Sequence, residues 1–244
     1  MLLFADLFQR ETSWTHISAT EGLILTNGCP LKYYPDQHSI FKFVRDRDKF
    51  TPWYTAHKFT GEVDTQFKKV LEDCGIGLTN ALSPQAKGKV ERPYQWLQDR
   101  TVRTAAKEHI TKFEDVRTVL KDLVDRYNNQ WVHSTTKEIP AVRFQRAIEM
   151  GQSLFRPFKI KEPFESTKDI FCLREQRVVN SYRKISFHNV ELTVPGVPHR
   201  NTVDLRIVPD LKIGLAEIRM WFQDKLVSVQ QVKQSDINLS AFDS

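Results

Sequence analysis

The chain has 244 residues, of which 40% are hydrophobic and 11% aromatic, and its formal net charge is +6. This composition supports a folded core and excludes wholesale disorder, while the positive charge is compatible with a polyanionic partner. Three widely spaced cysteines offer neither a C-x-x-C metal pair nor a disulfide framework, which favours a reducing cytoplasm, and no apolar run is long enough to predict a membrane span.

The first 150 residues alternate between strand-like and helix-like patterns, which is typical of an α/β fold. Residues 2–8 are apolar apart from Asp6 and predict a buried strand, and a helix follows from Thr12 to a stop at Asn27-Gly28. Residues 45–64 have no clean period and predict a loop, in which Trp53 and Tyr54 either stack on bases or pin the loop. The other predicted elements are strands at 31–34 and 76–82 and helices at 65–74, 113–129 and 140–150.

Asp36 follows the predicted strand at 31–34, in the segment G-C-P-L-K-Y-Y-P-D-Q-H-S-I-F of residues 28–41. An aspartate just beyond a strand lies where ligands gather in α/β folds. An aspartate in a Pro-Asp turn is also common without any function. The position alone therefore leaves both interpretations open.

Residues 83–100, S-P-Q-A-K-G-K-V-E-R-P-Y-Q-W-L-Q-D-R, begin as a loop and continue as a helix. Glu91 falls in the first predicted turn, where a carboxylate could hold a divalent cation or could simply be favoured by the helix dipole. Pro93 conflicts with a regular helix and indicates a later start or a bend. The predicted inward stripe is Val90, Tyr94, Leu97 and Thr101.

Together, the segments around Asp36 and Glu91 resemble the middle and last acidic motifs of DDE transposases and retroviral-type integrases. The likeness is greatest to bacterial insertion-sequence transposases of the integrase-core kind, and R-Y-N-N-Q-W-V-H-S-T-T-K-E-I-P at 126–140 is similar to the closing segment of such cores. The resemblance implies an RNase H-like core in which Asp36 and Glu91 are catalytic and hold Mg²⁺ or Mn²⁺ in a two-metal site. In such a core, we expect His133 to cap or pack rather than to catalyse.

The third acid of the family is expected on a strand before residues 2–8, so the resemblance implies a core truncated at its first strand. We therefore expect a transposase fragment that binds DNA but is impaired in phosphodiester cleavage and strand transfer. Asp6 is the nearest acid that could substitute. Two alternatives remain open: a non-catalytic DNA-binding regulator of transposition, and an RNase H-like nuclease with a different third ligand.

Basic residues cluster next to Glu91. Such a run is ordinarily a solvated helix face, but beside a phosphodiester site it predicts a track for DNA. The family resemblance implies transposon ends and target DNA as partners, and a homo-oligomer of the intact enzyme. The predicted DNA-binding residues are Lys87, Lys89, Arg92, Arg100, Arg103 and Lys107.

The sequence pattern changes after residue 150, from alternating helices and strands to a linker and then short β-prone runs. We predict a core domain at 1–150, a linker at 151–169 and an all-β domain at 170–244, which the family resemblance implies to be a small SH3-like barrel that binds DNA. Strands are predicted at 170–179, 184–187, 190–194, 202–208, 216–222 and 225–229. Basic residues that could serve phosphates there, or be ordinary surface charges, are Arg174, Arg177, Arg183, Lys184, Arg200 and Arg206.

Overall fold

The computed structural model describes residues 1–35, 43–44, 62–63, 65–79 and 84–239, with the backbone alone for 43–44, 62–63 and 84–90. The described residues fall into two compact units. The first draws on residues within 1–10, 19–37 and 76–158, and the second on residues within 11–18, 38–75 and 159–244. Within the described part of the chain, no helix has both the length and the apolar character needed to cross a membrane.

The secondary structure is mixed α/β, as predicted, and the sheets are small. The helices are α1 (Ser13–Asn27), α2 (Gln66–Asp73), α3 (Pro84–Lys107), α4 (Phe113–Asn129), α5 (Pro140–Glu149) and α6 (Thr167–Ile170). The short strands before residue 160 are β1 (Cys29–Pro30), β2 (Lys32–Tyr33), β3 (Phe43–Val44), β4 (Glu62–Val63), β5 (Gly77–Leu78) and β6 (Phe155–Arg156). The later strands are β7 (Leu173–Val178), β8 (Lys184–Phe187), β9 (Val190–Thr193), β10 (Thr202–Asp210), β11 (Leu215–Phe222) and β12 (Lys225–Lys233).

Helix α1 ends at the predicted stop. Gly28 has a φ of 84° and its N–H donates to the carbonyl of Ile24 at 2.8 Å. A Cβ at this position would lie 2.4 Å from the carbonyl oxygen of Arg156, the residue of β6 that pairs with Cys29 in β1. Glycine is thus required both by the left-handed backbone and by the close approach of β6.

The prediction of a buried strand at residues 2–8 is wrong, because this segment forms no strand. The side chain of Asn128 on α4 binds the backbone of Leu2 instead, accepting from its N–H and donating to its carbonyl at 2.8 Å each. A side-chain amide thus satisfies the groups that a neighbouring strand would have paired. The apolar residues of the segment still become partly buried, because Leu2, Ala5 and Leu7 pack against a cluster formed by α3 and α4.

In the second unit, the β-rich composition predicted for the end of the chain is confirmed. Each of the six runs predicted to be strands contains one, and β12, β11, β10 and β7 form an antiparallel sheet in that order. Along β10, Val203, Leu205 and Ile207 are fully buried and alternate with more exposed residues. Strands β8 and β9 form a separate hairpin, so the described strands do not close into a barrel.

Helix α2 belongs to this second unit although it lies far from the β-strands in sequence. Its side chains Phe67, Val70 and Leu71 are fully buried. The side-chain amide of Gln66 pairs with the backbone of Arg174 at the start of β7, accepting at 2.7 Å and donating at 2.9 Å. The segment predicted as a linker, 151–169, contains β6 and the start of α6.

Candidate active site and nucleic-acid interface

Glu91 lies on α3, and the structure changes its predicted position within the helix. Because α3 begins at Pro84, Glu91 is the eighth residue of the helix rather than part of the first turn. Proline is tolerated at the first helical position, and the helix also runs through Pro93. The helix dipole therefore no longer accounts for a carboxylate here, because its effect is confined to the terminal turn. The side chain of Glu91 is exposed and makes no hydrogen bond or ion pair with the other described residues.

A row of exposed basic side chains follows one side of α3. At about 100° per residue, Arg92, Arg100, Arg103 and Lys107 fall within an arc of about 80° and extend over about 22 Å. All four are exposed, and Arg103 donates to Asp99 at 2.8 Å. We call these four residues the basic row. The helical register places the backbone of Lys89 on the same arc and that of Lys87 on the opposite side of the helix.

The inward side of α3 differs from the predicted stripe. Leu97 and Thr101 are buried as predicted, but Tyr94 is 73% exposed. Trp96 anchors the helix instead, with its ring centroid 5.1 Å from that of Tyr127 and 5.3 Å from that of Trp131. By the same register, Trp96 falls in the middle of the arc that carries the basic row, so α4 covers part of this arc while the four basic side chains around Trp96 stay exposed. Glu91 lies about 100° around the helix from Arg92 and about 180° from Arg100, so it is on a different side of α3 from most of the basic row.

Asp6 is held by an arginine. Its Oδ1 accepts from Nε of Arg117 at 2.7 Å, and the same guanidinium donates to the carbonyl of Leu7 and to Glu114. Partial burial lowers the pKa of Arg117, but the charges and hydrogen bonds of Asp6 and Glu114 outweigh this effect and raise the pKa above its ordinary value. Because a guanidinium already compensates the charge of Asp6 and occupies its Oδ1, this carboxylate is poorly suited to bind a metal ion.

Asp36 lies outside the described residues, as do Trp53 and Tyr54. The strand before it is described: β2 pairs in parallel with β5, with Lys32 opposite Gly77 and Tyr33 opposite Leu78. In a parallel pair, the carboxyl ends of both strands face the same edge. Asp36 follows β2 by three residues and α3 follows β5 by six, so both predicted acids come after strands that end at one edge. Among the described residues, no group of three potential metal ligands is brought together.

Sequence comparison decides the relationship. No family model matches the chain. It is 29% identical over 177 residues to a putative transposase, y4bF, of Sinorhizobium fredii, a match that covers 72% of the chain and 33% of the relative. It is 24% identical over 191 residues to the transposase for insertion sequence IS1202 of Streptococcus pneumoniae, covering 73% of the chain and 39% of that relative. The chain is related to insertion-sequence transposases.

This transposase-related chain spans between a third and two fifths of the length of the curated relatives it matches. A solved structure was also matched, a chain of a simian T-cell lymphotropic virus intasome in complex with a PP2A regulatory subunit. That match has 14% identity and a TM-score of 0.38, and it covers 93% of this chain and 64% of the other.

His133 caps a turn, which is one of the two roles, capping or packing, expected for it from the sequence. Its Nδ1 accepts from the N–H groups of Thr135 and Thr136 at 3.3 and 3.4 Å, and its backbone exchanges hydrogen bonds with Glu138 and Lys137. The imidazole thereby organises the turn that leads into α5 of this transposase-related chain.

Two of the arginines that could have served phosphates are internal. Arg174 donates to Asp73 on α2 at 2.6 Å, and Arg206 lies 3.6 Å from the same carboxylate. Arg206 also donates to the carbonyl of Asp169 and stacks over Phe164, with 4.4 Å between its guanidinium carbon and the ring centroid. They are thus structural residues of the second unit, which is neither of the two roles, phosphate contact or surface charge, that the sequence left open for them.

Sequence reasoning missed the residues that hold the site in place. The anchoring role of Trp96 depends on Tyr127 and Trp131, which are more than 30 residues away in the chain, so no local pattern identifies it. Asn128 gave a usable signal, because a polar side chain continues the buried stripe of α4 that contains Leu120 and Leu123. A buried amide needs polar partners, which here are the backbone groups of Leu2.

Proposed function

We propose that this chain is the DNA-engaging part of a transposase that acts by metal-dependent phosphodiester cleavage and strand transfer. The observation that carries the proposal is the basic row, which places four exposed cations on the helix that also bears Glu91. Over the length of the row, about 22 Å, one strand of duplex DNA presents about six phosphates. The names of the two relatives, both transposases, support DNA as the partner.

The same proposal assigns Asp36 and Glu91 as ligands of Mg²⁺ or Mn²⁺. Hard divalent cations prefer carboxylate oxygens, and Glu91 offers an exposed carboxylate without a partner among the described residues. Such ions, when bound in pairs, activate the attacking oxygen and stabilise the leaving one. The parallel pairing of β2 and β5 supports a common edge for the two acids. An RNase H-like core followed by an SH3-like barrel, and assembly as a homo-oligomer, are parts of the same proposal.

We further propose that this 244-residue chain is impaired as a catalyst by itself. A two-metal site usually needs a third carboxylate, and Asp6, the candidate for it that the sequence offers, is engaged by Arg117. The same ion pair weighs against an RNase H-like nuclease that uses Asp6 as its third ligand. It favours the second candidate function, a DNA-binding regulator of transposition that occupies DNA without cutting it.

DNA binding is tested with a labelled 20-base-pair duplex and fluorescence anisotropy over a range of salt concentrations. Removing two charges of the basic row, Arg100→Ala with Arg103→Ala, should weaken binding and flatten the slope of log K against log salt by about 1.8, since each phosphate contact contributes about 0.9. The matched control removes two exposed charges from α4, Lys121→Ala with Arg126→Ala, and should keep the wild-type slope. Equal effects of the two pairs would refute a DNA track on α3.

Catalysis is tested with pre-cut DNA ends and Mn²⁺. We expect no strand transfer by this chain. Joining of DNA ends that Glu91→Ala abolishes would show that the chain is active and would overturn the proposed impairment. Cleavage without joining that is lost in Asp6→Ala would instead establish the nuclease.

A further inference from the structure

One surface of the second unit combines an exposed aromatic ring with two arginines that no described residue pairs. Tyr182 is 82% exposed, and Arg183 and Arg200 are both exposed. Neither guanidinium makes a hydrogen bond or an ion pair within the described part of the chain, unlike those of Arg174, Arg206 and the neighbouring Arg177. We call Tyr182, Arg183 and Arg200 the tyrosine patch.

The backbone brings the two halves of this patch together. The N–H of Arg200 donates to the carbonyl of Val179 at 2.8 Å, and the N–H of Val179 donates to the carbonyl of Asn201 at 2.9 Å. The next residue, Asn180, starts the turn that carries Tyr182 and Arg183. The segment that carries Tyr182 and Arg183 and the segment that carries Arg200 are therefore joined by backbone hydrogen bonds at Val179.

The turn itself is held by a single asparagine. The side-chain oxygen of Asn180 accepts from the N–H groups of Tyr182 and Lys184 at 3.0 and 2.9 Å, and its carbonyl accepts from Arg183 at 3.0 Å. Beneath the turn, Val179 is buried. The exposed side chains thus stand on a fixed base, so binding through them would not require the backbone to order first.

The residue types are not explained by the turns. Arg183 and Arg200 have φ values of 57° and 65°, where glycine or asparagine is favoured over a residue with a long side chain. The segments 179–184 and 194–201 contain no aspartate or glutamate, and Lys184 is paired with Glu191 at 3.0 Å. The patch therefore presents an aromatic face and two unneutralised cations to solvent.

We infer that the tyrosine patch binds an unpaired stretch of nucleic acid, with Tyr182 stacked on a base and the two arginines on the flanking phosphates. Stacking on an exposed aromatic needs a free base face, which a continuous duplex does not offer, whereas cations alone would bind either form. This inference rests on the proposed action of the chain on DNA and adds a site for single-stranded segments, such as those at cut ends.

The test measures binding of a labelled 15-nucleotide thymidine oligomer and of the blunt 20-base-pair duplex to the full chain. Tyr182→Ala should weaken binding of the oligomer by about tenfold, while Tyr182→Phe, which keeps the ring, should bind as the wild type does. Arg183→Ala with Arg200→Ala should flatten the salt slope for the oligomer by about 1.4. The control Leu211→Ala removes a side chain that is 60% exposed in the turn after β10 and should change neither affinity.

The outcomes separate the two claims. Failure of the wild-type chain to bind either DNA would overturn the proposed function itself. Duplex binding that depends on Arg100 and Arg103, with unchanged oligomer binding by Tyr182→Ala, would overturn only the tyrosine patch. Equal weakening of duplex and oligomer by Tyr182→Ala would also overturn it, because the patch would then not distinguish unpaired bases.

Discussion

Replacing Asp169 by asparagine should destabilise the second unit more than any exposed substitution in it. This carboxylate is fully buried and accepts from Arg219 at 2.6 and 3.2 Å, from Trp221 Nε1 at 3.2 Å and from the N–H of Ser166 at 3.0 Å. Asparagine keeps the shape but removes the negative charge and turns an NH₂ group toward donors. Arg219 would then lose its principal counter-charge in a largely buried position.

The expected magnitude follows from that loss. Burial lowers the pKa of Arg219, but the hydrogen bonds and charges of Asp169 and Glu217 raise it overall. Removing one partner of a buried ion pair costs about 3–5 kcal/mol. Because Glu217 remains 2.9 Å from Arg219, we expect the lower end of this range, about 3 kcal/mol. For a chain of this size the melting temperature should fall by about 6–12 °C.

Urea unfolding followed by circular dichroism and tryptophan fluorescence measures this change, and Asp204→Asn provides the control. Asp204 lies on β10 in the same sheet, is exposed and accepts from Gln176 at 2.7 Å. Its substitution should cost about 0.5 kcal/mol or less. If Asp169→Asn unfolds at the same urea concentration as Asp204→Asn, the buried network does not stabilise the unit and the reasoning is refuted.

Two further predictions concern a glycine and a glutamate. Gly28→Ala should lower the free energy of unfolding by more than about 2 kcal/mol, because its backbone is left-handed and the added Cβ would lie 2.4 Å from a carbonyl oxygen. The control Gly151→Ala, at a φ of 66° with nothing within 4 Å, should cost only about 1–2 kcal/mol. Equal urea midpoints for the two variants would contradict this. Burial raises the pKa of Glu217, but hydrogen bonds and charges from Lys168 and Arg219 lower it below 4.5 overall. A lowered folded-state pKa contributes stability that is complete above 4.5 and is lost as the pH falls through the folded value, so the wild type should lose stability in acid more steeply than Glu217→Gln, and parallel pH profiles would refute the effect.

In the β-rich end of the chain, local sequence patterns predict the positions of the strands correctly. Strands β8 to β12 lie where alternation and turn residues predict them, because each strand is specified by neighbours within a few residues. Helix α4 likewise begins and ends at the predicted residues, Phe113 and Asn129. The resemblance to insertion-sequence transposases also came from short local segments, and sequence comparison confirms it.

Predictions failed where the outcome depended on residues far away in the sequence. Residues 2–8 have the apolar content of a strand but form none, because Asn128 satisfies the backbone at Leu2. Tyr94 has the spacing of a buried residue but is exposed, because Trp96 anchors α3 instead. Arg174 and Arg206 resemble surface charges in sequence, and only folding brings both of them to the carboxylate of Asp73.

The amino-acid sequence by itself determined the positions of most helices and strands, the transposase relationship and the basic character of α3, since these properties are carried by residues close together in the chain. The tertiary structure alone decided which charges are available. It pairs Asp6 with Arg117 and Arg219 with Asp169, while Glu91, the basic row and the tyrosine patch remain exposed. The physical reason is that a charge is neutralised by whichever opposite charge the fold brings within hydrogen-bonding distance, and those partners are more than 45 residues away in sequence.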